Sequence, residues 1–591
     1  MNTGNPRLKL NDRTILVSLL VILGIVLTLT VVPGVFIIDE DNYLATVVAL
    51  RHGMLKAPGT EHLTPSRELV WFDPEANHRV VESTPVVALV APLYAFVALP
   101  FSYLGLRGLF FLNTLAFLVS VYLVFCYVER VARERMTPWV ASILFALGGY
   151  CVEYAQGLWP QMLSVALCLG SLFLCFQARK KETMMPAFVG GILAGAAIGV
   201  REPNVAFAFF LGVGLLLFAR KRVQTAASYA SGIVLVLFVI ATINFYRYDV
   251  WHPFPKVVSY AEVVAANTAG SSIVEPLRVF WSKVVDYSSY GQNTDHIRSG
   301  HYQWNAASGT ILMNGIMKKS WIQSSPWLGL ALIGMVAAWF ARRATLSMAD
   351  LEIRTLGLIV VPTLLVFVAA GFNRTDGLSF NQRYFLELLP LTAIVLGLFI
   401  DRVTFKVLPA GIGFVAGMAL VAAVLSLAPP TAKLVLQRFL PVVLSAATIV
   451  AWYASRNRSV FLVFIGLCVG WALFFHLETD LVGSRFRREV NSARYDAVEK
   501  VIPDHAALFA YWGNKDAAGP LQLAKDVVIL DVWADGGQDA IQLEGELLAR
   551  KRRVYVLAND MPQQIYSKLL ENRDVRVVSE GVLRLVEVSQ R

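Results

Sequence analysis

The chain has 591 residues, of which 56% are hydrophobic and only 16% are charged, and its mean hydropathy is +0.57. Soluble domains usually carry about 25% charged residues, so this composition excludes an ordinary soluble enzyme. Apolar runs of about 18 residues or more recur along the chain, each long enough to cross a hydrocarbon core of about 30 Å. We therefore predict an α-helical polytopic membrane protein. The net charge of +10 is assigned to basic loops beside the spans and is no sign of nucleic-acid binding.

The first apolar run, residues 15–36, is too long for the core of a signal peptide, and no small-residue cleavage site follows it, so we predict a retained helix. The stretch "FIIDEDNYLATVVALRHG" then places Asp39, Glu40 and Asp41 directly after the run. Apolar residues recur at helical spacing beyond them. This favours a helix in the membrane interface with acidic residues at its N-terminus. The alternative is that the acids are ordinary solvated residues, and for Asp41 we keep that interpretation.

Clusters of Lys and Arg predict which loops face the cytoplasm, because cytoplasmic loops are enriched in these residues. If every cluster lies inside, neighbouring clusters are separated by even numbers of spans, except across residues 85–128. Pro92 and Pro100 interrupt the first half of that stretch, so we predict an interfacial helix at 85–104. The predicted spans are 15–36, 107–128, 137–153, 160–178, 185–200, 203–219, 226–246, 326–341, 355–371, 385–400, 407–428, 437–455 and 459–476.

These spans, about thirteen in number, place the N-terminus in the cytoplasm and the chain after the last span outside. Residues 1–476 form the predicted transmembrane domain, with long outer loops at 37–106 and 247–325, and residues 477–591 form a small outer α/β domain. In that domain "ALFAYWG", "DVVILDV", "RVYVLAN" and "VRVVSEG" are typical of short buried strands, and "AIQLEGELLARKR" and "MPQQIYSKLLEN" of amphipathic helices. The domain carries no glycine-rich phosphate loop, so no nucleotide site is predicted.

Charged and aromatic residues collect in the predicted outer loops. Arg201 lies in "IGVREPNV", where a lone arginine runs against the inside bias and indicates an anionic partner. The alternative is an ion pair with a neighbouring or facing acid. Arg383 lies at the mouth of a late span. The histidines of the large loop 247–325 match no common zinc spacing. The candidates for sugar or acceptor binding are Tyr43, Glu153, Gln156, Trp159 and His301.

One membrane face thus combines carboxylates with cations over a bundle that can hold a lipid. This combination suits sugar transfer from a polyprenyl-phosphate carrier, because a carboxylate can act as general base toward an acceptor hydroxyl. The departing phosphate needs cations or a metal to stabilise its charge. An inverting displacement with oxocarbenium character follows from this set. The sequence assigns no cofactor and leaves a divalent metal ion open.

Asp39-Glu40 with Tyr43, just past the first span, resembles the first outer loop of GT-C glycosyltransferases, in the branch of protein O-mannosyltransferases and lipid A aminoarabinose transferases. "APLYAFVALPFSYLGLRG", "GGILAGAAIGVREP" and "QRYFLELLPLTAIVLG" resemble, in order, the interfacial helix, the glycine-rich span and the opening of a late span in that family. The resemblance covers about residues 10–400. It implies the GT-C fold, Asp39 as catalytic base, Glu40 positioning Asp39 or the acceptor, and Arg201 and Arg383 on the donor phosphate.

The resemblance also implies a location in the plasma (inner) membrane, a polyprenyl-phosphate sugar as donor, and a glycan, lipid or protein as acceptor. The chain departs from the family at one place. Many members have an acid before a proline in the second outer loop, where this chain has Trp159 before Pro160. Glu153 is the candidate substitute, so metal binding stays undecided.

Two other classes of protein are weighed. A transporter or flippase of lipid-linked saccharides favours charges deep within the spans and an internal repeat, whereas the charges here cluster at span ends and no repeat is evident. A scaffold without enzymatic activity leaves the clustered acids and Arg201 unexplained.

Overall fold

Helices make up most of the molecule, which is described by a computed structural model. The structure describes residues 10–53, 55, 71–73, 78–80, 91–181, 183–248, 251–254, 274–287, 302–340, 347–369, 379–401, 403–454, 458–511, 514, 517–531, 544–545, 547–549, 551–559, 561–580 and 583–590. The first ten helices are α1 (Leu10–Thr30), α2 (Ile38–Arg51), α3 (Pro92–Ser102), α4 (Gly105–Glu129), α5 (Thr137–Ala146), α6 (Cys151–Ala155), α7 (Gln161–Lys181), α8 (Met184–Val200), α9 (Asn204–Phe218) and α10 (Arg222–Tyr248).

The later helices lead from the bundle into the C-terminal region. They are α11 (Val274–Val284), α12 (Trp321–Ser324), α13 (Leu328–Phe340), α14 (Met348–Ala369), α15 (Leu389–Ile400), α16 (Val407–Leu427), α17 (Pro430–Ala454), α18 (Arg458–Phe475), α19 (Val482–Glu499), α20 (Pro520–Lys525) and α21 (Gln563–Leu569). A 3₁₀ turn, Arg383–Leu388, precedes α15.

Within the described residues, nine helices are long and apolar enough to cross a membrane, and five shorter helices are also apolar. Each predicted span falls on one of these helices, and the predicted interfacial helix contains α3. The prediction of an α-helical polytopic membrane protein is therefore confirmed. The number of helices that cross the bilayer stays a prediction.

Contacts between helix ends show which of them lie together at each end of the bundle. At one end Arg13 bonds Glu129 at 2.8 Å, and Arg135 bonds Asp12 at 2.6 Å. Asp401 lies at the same end, where it accepts hydrogen bonds from the backbone that follows α4. The loops after α1, α6, α8 and α14 meet at the opposite end, as the site below shows. The basic clusters predict this grouping, and the choice of which end faces the cytoplasm stays a prediction.

Helices α16 and α18 cross at backbone contact. A Cβ atom on Gly413 would lie 1.9 Å from the carbonyl oxygen of Val463, and one on Gly470 would lie 2.1 Å from that of Phe414. Glycine pairs four residues apart let membrane helices approach this closely, and lipid offers no hydrophobic force to replace the contact. The four glycines of the crossing are Gly413 and Gly417 on α16 and Gly466 and Gly470 on α18.

The glycine-rich helix α8 makes a second crossing of this kind, with α10. A Cβ atom on Gly191 would lie 2.0 Å from the carbonyl oxygen of Tyr229, and one on Gly232 would lie 2.2 Å from that of Phe188. The small residues of "GGILAGAAIG" are thus explained by packing. Because α8 ends at Val200, this packing also fixes the position of Arg201 at the end of the bundle.

The last span does not end where the C-terminal region begins. Helix α18 continues through a π-helical turn, His476–Leu481, into α19, so that one helix of 42 residues runs from Arg458 to Glu499. We call it the long helix. The predicted domain boundary at 477 falls inside this helix. The helix connects the bundle to the C-terminal region without a break.

A five-stranded sheet follows the long helix, in the strand order β7-β6-β8-β10-β9. The first three of these strands are parallel, and β10 is antiparallel to both β8 and β9. The sheet confirms the small α/β region and its four predicted strands, while β10 is an addition that was not predicted. Within the predicted helix at 540–552, the described residues 544–545 and 547–549 are helical, and residues 551 and 552 lie beyond the helix. The strands are β1 (Trp71–Asp73), β2 (His78–Val80), β3 (Gln303–Asn305), β4 (Thr310–Met313), β5 (Ile316–Met317), β6 (Ala507–Ala510), β7 (Val528–Asp531), β8 (Val554–Leu557), β9 (Arg573–Glu580) and β10 (Arg584–Gln590).

Gly413→Val is expected to destabilise the protein by about 1–3 kcal/mol, because the new side chain forces the two backbones apart. Gly411→Val, on the same helix, is the matched control, since a Cβ atom there meets nothing within 4 Å. Thermal unfolding of both purified variants in one detergent measures the difference. Equal melting temperatures for the two variants would contradict the close crossing.

Candidate active site

Helix α2 places three acids in its first turn, where the helix dipole favours negative charge. Successive residues of an α-helix point about 100° apart, because about 3.6 residues make one turn. Asp39, Glu40 and Asp41 therefore face three directions. The structure gives each of them a different environment.

Glu40 points into the protein and is completely buried. Its two carboxylate oxygens accept a bidentate pair of hydrogen bonds from Arg488 of the long helix, at 2.6 and 2.9 Å. They also accept the backbone N–H groups of Phe36, at 2.6 Å, and Leu158, at 2.9 Å. Four such donors occupy the acceptor positions of this carboxylate, so none is left for a substrate group. Glu40 thus joins three segments of chain and holds the start of α2 in place.

Two glycines allow the long helix and the second outer loop to approach this ion pair. A Cβ atom on Gly34 would lie 2.3 Å from the carbonyl oxygen of Arg488. One on Gly157 would lie 3.0 Å from both the Arg488 guanidinium and the Glu40 carboxylate. Asn491, one turn further along the long helix, donates to the carbonyl oxygen of Val35 at 2.8 Å. The long helix is therefore part of the wall of the site.

Asp41 is also buried, with none of its surface exposed. Its carboxylate accepts a hydrogen bond of 2.6 Å from Gln522 on α20. The expectation of a solvated residue was wrong, because the C-terminal region covers this side of α2. At the far end of α2, His52 bonds Asp526 at 3.0 Å, so the C-terminal region contacts the helix at both ends.

Asp39 is the acid that remains accessible. Its side chain is 46% exposed, and one oxygen accepts a hydrogen bond of 2.7 Å from Nη1 of Arg383. The two residues are 344 positions apart in sequence. The fold thus brings the predicted base and one predicted phosphate-binding arginine into direct contact.

A single tyrosine ring joins the two predicted phosphate-binding arginines. The guanidinium carbon of Arg383 lies 5.2 Å from the centroid of the Tyr384 ring, and that of Arg201 lies 5.1 Å from it. Arg383 also lies 5.5 Å from the centroid of Trp159. Aromatic faces hold cations at such distances without neutralising them. Two positive charges are therefore collected beside Asp39.

Arg201 occupies a break between α8 and α9. Its backbone is extended, and Pro203 opens the next helix. Its guanidinium pairs with Glu387 of the 3₁₀ turn, and both side chains are buried. Ser164 also donates to Glu387, at 2.8 Å. The alternative of an ion pair with a facing acid is therefore what the structure contains, in a position that still faces Tyr384.

Glu153 lies behind the segment that carries Arg383. Asn381 donates from one amide nitrogen to Glu153, at 2.9 Å, and to Asp480, also at 2.9 Å. Burial, and then the nearby Asp480 carboxylate, raise the pKa of Glu153 to about 8. Glu153 is thus tied to the backbone support of the site and does not contact Asp39 or Arg383 directly in any described bond.

Asp480 is the centre of this support and lies in the π-helical turn of the long helix. It pairs with the buried Lys319 and with His476. His476 in turn bonds the carbonyl oxygen of Ser324 at 2.8 Å. Such turns widen a helix by one residue and recur at functional sites. Here the turn lets one carboxylate face Lys319, His476 and Asn381 together, which fixes the residues just before Arg383.

The remaining predicted residues divide between the site and the scaffold. Tyr43 packs edge-on against Tyr94, with 5.0 Å between ring centroids. Burial and the charge of Asp39 raise the pKa of Tyr43, while Arg201 and Arg383 oppose the rise, so it lies within their field. Gln156 donates to the carbonyl oxygen of Leu27, at 2.9 Å, at the end of α1. His301 lies outside the described residues.

Three residues of this arrangement were missed by the sequence analysis: Arg488, Glu387 and Asp480. Arg488 had a usable signal. It lies in "RFRREV", a basic run on the predicted outer side just past the last span, against the usual distribution. Glu387 and Asp480 had none, since no local pattern sets either apart from other acids near the end of an apolar helix.

Within the described ranges, no group of three or more His, Cys, Asp and Glu side chains could hold a metal ion. Of the acids beside Asp39, Glu40 has its acceptor capacity taken by four donors. These residues do not form a fitting set for a divalent metal, and we derive no chemical step through one.

No protein-family model matches the sequence, and no curated protein matches it. The crystal structure of ArnT from Cupriavidus metallidurans bound to undecaprenyl phosphate is similar over 97% of this chain and 97% of its own, with a TM-score of 0.53 at 11% identity. The apo state of that protein gives a TM-score of 0.51 at 13% identity, over 98% of each chain. The chain has the GT-C fold.

The arabinosyltransferase EmbB from Mycobacterium smegmatis, seen by cryo-electron microscopy, overlaps with 73% of this chain and 37% of its own, at a TM-score of 0.36 and 11% identity. A TM-score of 0.36 is too low to support a conclusion about this chain. The ArnT similarity covers the C-terminal region as well as the bundle. The similarity to ArnT therefore extends over the long helix and the sheet that follows it.

Arg488→Met is expected to lower the free energy of unfolding by about 3–5 kcal/mol, because it leaves the buried Glu40 carboxylate without its partner. Arg485→Met is the matched control on the same helix. Arg485 is 57% exposed, and its one ion pair among the described residues is with Glu489 one turn away, so its loss is expected to cost about 0.5 kcal/mol or less. Thermal unfolding in detergent compares the two, and equal losses would show that the Glu40 pair is not a support.

The raised pKa of Glu153 predicts a pH-dependent stability. In the unfolded chain this carboxyl loses its proton near its usual value of 4.5, whereas in the folded protein it keeps it up to about pH 8. The stability it contributes is therefore present at low pH and is lost as the pH rises toward about 8. Melting curves of wild type and Glu153→Gln from pH 5 to 9 measure this. The variant is expected to lose less stability with rising pH, and parallel curves would refute the assignment.

Proposed function

We propose that the protein is a membrane glycosyltransferase that moves a sugar from a polyprenyl-phosphate carrier to an acceptor on the non-cytoplasmic side, with inversion at the anomeric carbon. Asp39 is the general base, and Arg383 with Arg201 binds the donor phosphate. The acceptor class is a glycan, a lipid or a protein. The non-cytoplasmic placement rests on the distribution of basic loops.

One observation carries this proposal. A half-exposed carboxylate, Asp39, lies in contact with Arg383, and Arg383 shares the ring of Tyr384 with a second arginine, Arg201. Transfer from a phosphate carrier needs a base on one side of the reacting carbon and positive charge on the other. The three side chains supply both within one small region at the end of a membrane bundle.

The fold supports the nature of the donor. ArnT, which has the same fold over almost its whole length, has been crystallised with undecaprenyl phosphate. A long lipid carrier needs an apolar surface beside a cationic headgroup site, and a bundle with arginines at one end provides that combination. This similarity supports the carrier class and does not specify the sugar.

The step is balanced without further reactants. The acceptor hydroxyl gives its proton to Asp39, and its oxygen forms a bond to the anomeric carbon. The bond from that carbon to the phosphate oxygen breaks, and the electron pair leaves with the phosphate. Arg383 and Arg201 stabilise the charge that develops there. Phosphate is already a good leaving group, so no protonated acid is needed opposite the base.

The other residues have supporting roles in this proposal. Glu40 positions Asp39 through the fixed start of α2. Trp159 and Tyr43 form the aromatic border of the site and contact the sugar or the acceptor. Glu153 and Gln156, predicted as binding residues, support the loops around it. His301 stays a candidate for acceptor binding.

Asp39→Asn is expected to reduce sugar transfer by about 10²–10⁴-fold, the usual contribution of a general base. The assay presents radiolabelled polyprenyl-phosphate sugars to the protein in membranes and counts label in the acceptor fraction. Asp526→Asn is the matched control, since it removes an acid that contacts the other end of α2, and it is expected to keep normal turnover. Both variants are checked for insertion and melting temperature.

Normal turnover by Asp39→Asn would end the assignment of Asp39 as the base. Movement of labelled carrier across proteoliposomes, with no transfer product from any donor, would favour the transporter of lipid-linked saccharides instead. The two outcomes are separated by where the label is found: in the acceptor, or on intact carrier in the opposite leaflet.

A further inference from the structure

Each arginine of the site is already paired with an acid. Arg383 bonds Asp39, and Arg201 pairs with Glu387. If a donor phosphate is to be bound by these cations, it has to compete with a carboxylate. The relative strength of the two ion pairs therefore decides which arginine the phosphate takes.

The Arg201–Glu387 pair is the one that resists exchange. The two side chains are 7% and 2% exposed, and Glu387 is held further by Ser164. Separating a pair in such surroundings leaves an uncompensated buried charge, which is strongly unfavourable. The positive charge of Arg201 can stabilise a nearby phosphate while the guanidinium stays paired with Glu387.

The Asp39–Arg383 pair is the one that opens. Its only described bond joins Nη1 of Arg383 to Asp39, whose side chain is 46% exposed. Water can therefore replace the arginine on Asp39 when the pair separates, and ion pairs with an exposed partner contribute little. The arginine itself is only 12% exposed, so it does not follow Asp39 into solvent.

Arg383 also has a donor ready for a new ligand. Its Nε atom is buried and has no hydrogen-bond partner among the residues that the structure describes. An unsatisfied buried donor is costly, and an anionic acceptor that reaches it recovers that cost. The donor phosphate is esterified to both the sugar and the lipid and keeps two non-bridging oxygens, whereas Asp39 offers one oxygen in the present bond. The phosphate can therefore engage both Nε and Nη1.

We propose that the Asp39–Arg383 ion pair is a latch that the donor phosphate opens. The phosphate takes Arg383, and the Asp39 carboxylate is released toward the acceptor hydroxyl. This inference rests on the proposed function and adds an order to it. The base becomes available only after the phosphate of a carrier lipid is bound beside it.

The latch makes an unusual prediction for the catalytically dead variant. Asp39→Asn removes the competitor for Arg383, so it is expected to bind undecaprenyl phosphate about fivefold more tightly than wild type, the upper range for an exposed ion pair. The same variant is expected to be inactive in transfer. The probe is undecaprenyl phosphate itself, titrated into the purified full-length protein in detergent, with inorganic phosphate in a parallel arm.

A double-mutant cycle tests whether the gain acts through Arg383. Arg383→Gln is expected to weaken binding, and Asp39→Asn is expected to have no further effect in that background. Glu202→Gln is the control for general charge, because Glu202 lies in the same electrostatic surroundings without being a described partner of Arg383. It is expected to leave the affinity within about twofold of wild type, because it removes one acid near the site without releasing Arg383 from Asp39.

Each result separates the latch from the function beneath it. If Asp39→Asn binds the lipid no more tightly than wild type, or gains equally with and without Arg383, the latch is refuted and the transferase remains. If wild type does not bind undecaprenyl phosphate at all, the proposed donor class fails and the latch fails with it. Equal affinity for inorganic phosphate would refute a lipid carrier as the ligand that opens the latch.

Discussion

The buried ion pair between Glu40 and Arg488 is the constraint on which the rest of the site depends. It fixes the first turn of α2 against the long helix. The Glu40 carboxylate also accepts hydrogen bonds from the backbone N–H groups of Phe36 and Leu158. Asp39 lies one residue earlier, so the fixed position of Glu40 also sets the direction of the Asp39 side chain. A mobile carboxylate at a membrane surface would be an ordinary solvated acid. Because its neighbour Glu40 is fixed, the Asp39 carboxylate is held in one orientation.

Charge compensation organises the surroundings of that anchor. Glu40 with Arg488, Glu387 with Arg201, and Asp480 with Lys319 each bury one acid with one base. Isolated charges cannot be kept in such an environment, whereas paired and hydrogen-bonded charges can. The exposed pair, Asp39 with Arg383, is the exception in this series. The described site therefore combines three buried pairs with one pair whose acid is half exposed.

Much of this architecture could be predicted from sequence, because it follows from local patterns. Apolar length located each span, and short apolar stretches located four of the five strands of the C-terminal sheet. Asp39, Arg201 and Arg383 were named because charged residues beside apolar helices are unusual, and their roles were taken from the resemblance to GT-C glycosyltransferases. The pairings among them could not be predicted. Arg488 finds Glu40 across 448 residues, and no local pattern encodes which acid faces which base.

The long separation of Glu40 from Arg488 has a consequence for synthesis in the cell. The two partners are 448 positions apart, so at a translation rate of about 5–20 residues per second the acid waits about 20 to 90 s for its arginine. During that time α2 and its acids are made but not yet held. The arrangement around Asp39 is therefore completed late in synthesis, and a chain that ended before Arg488 would lack the partner that holds Glu40 and the start of α2.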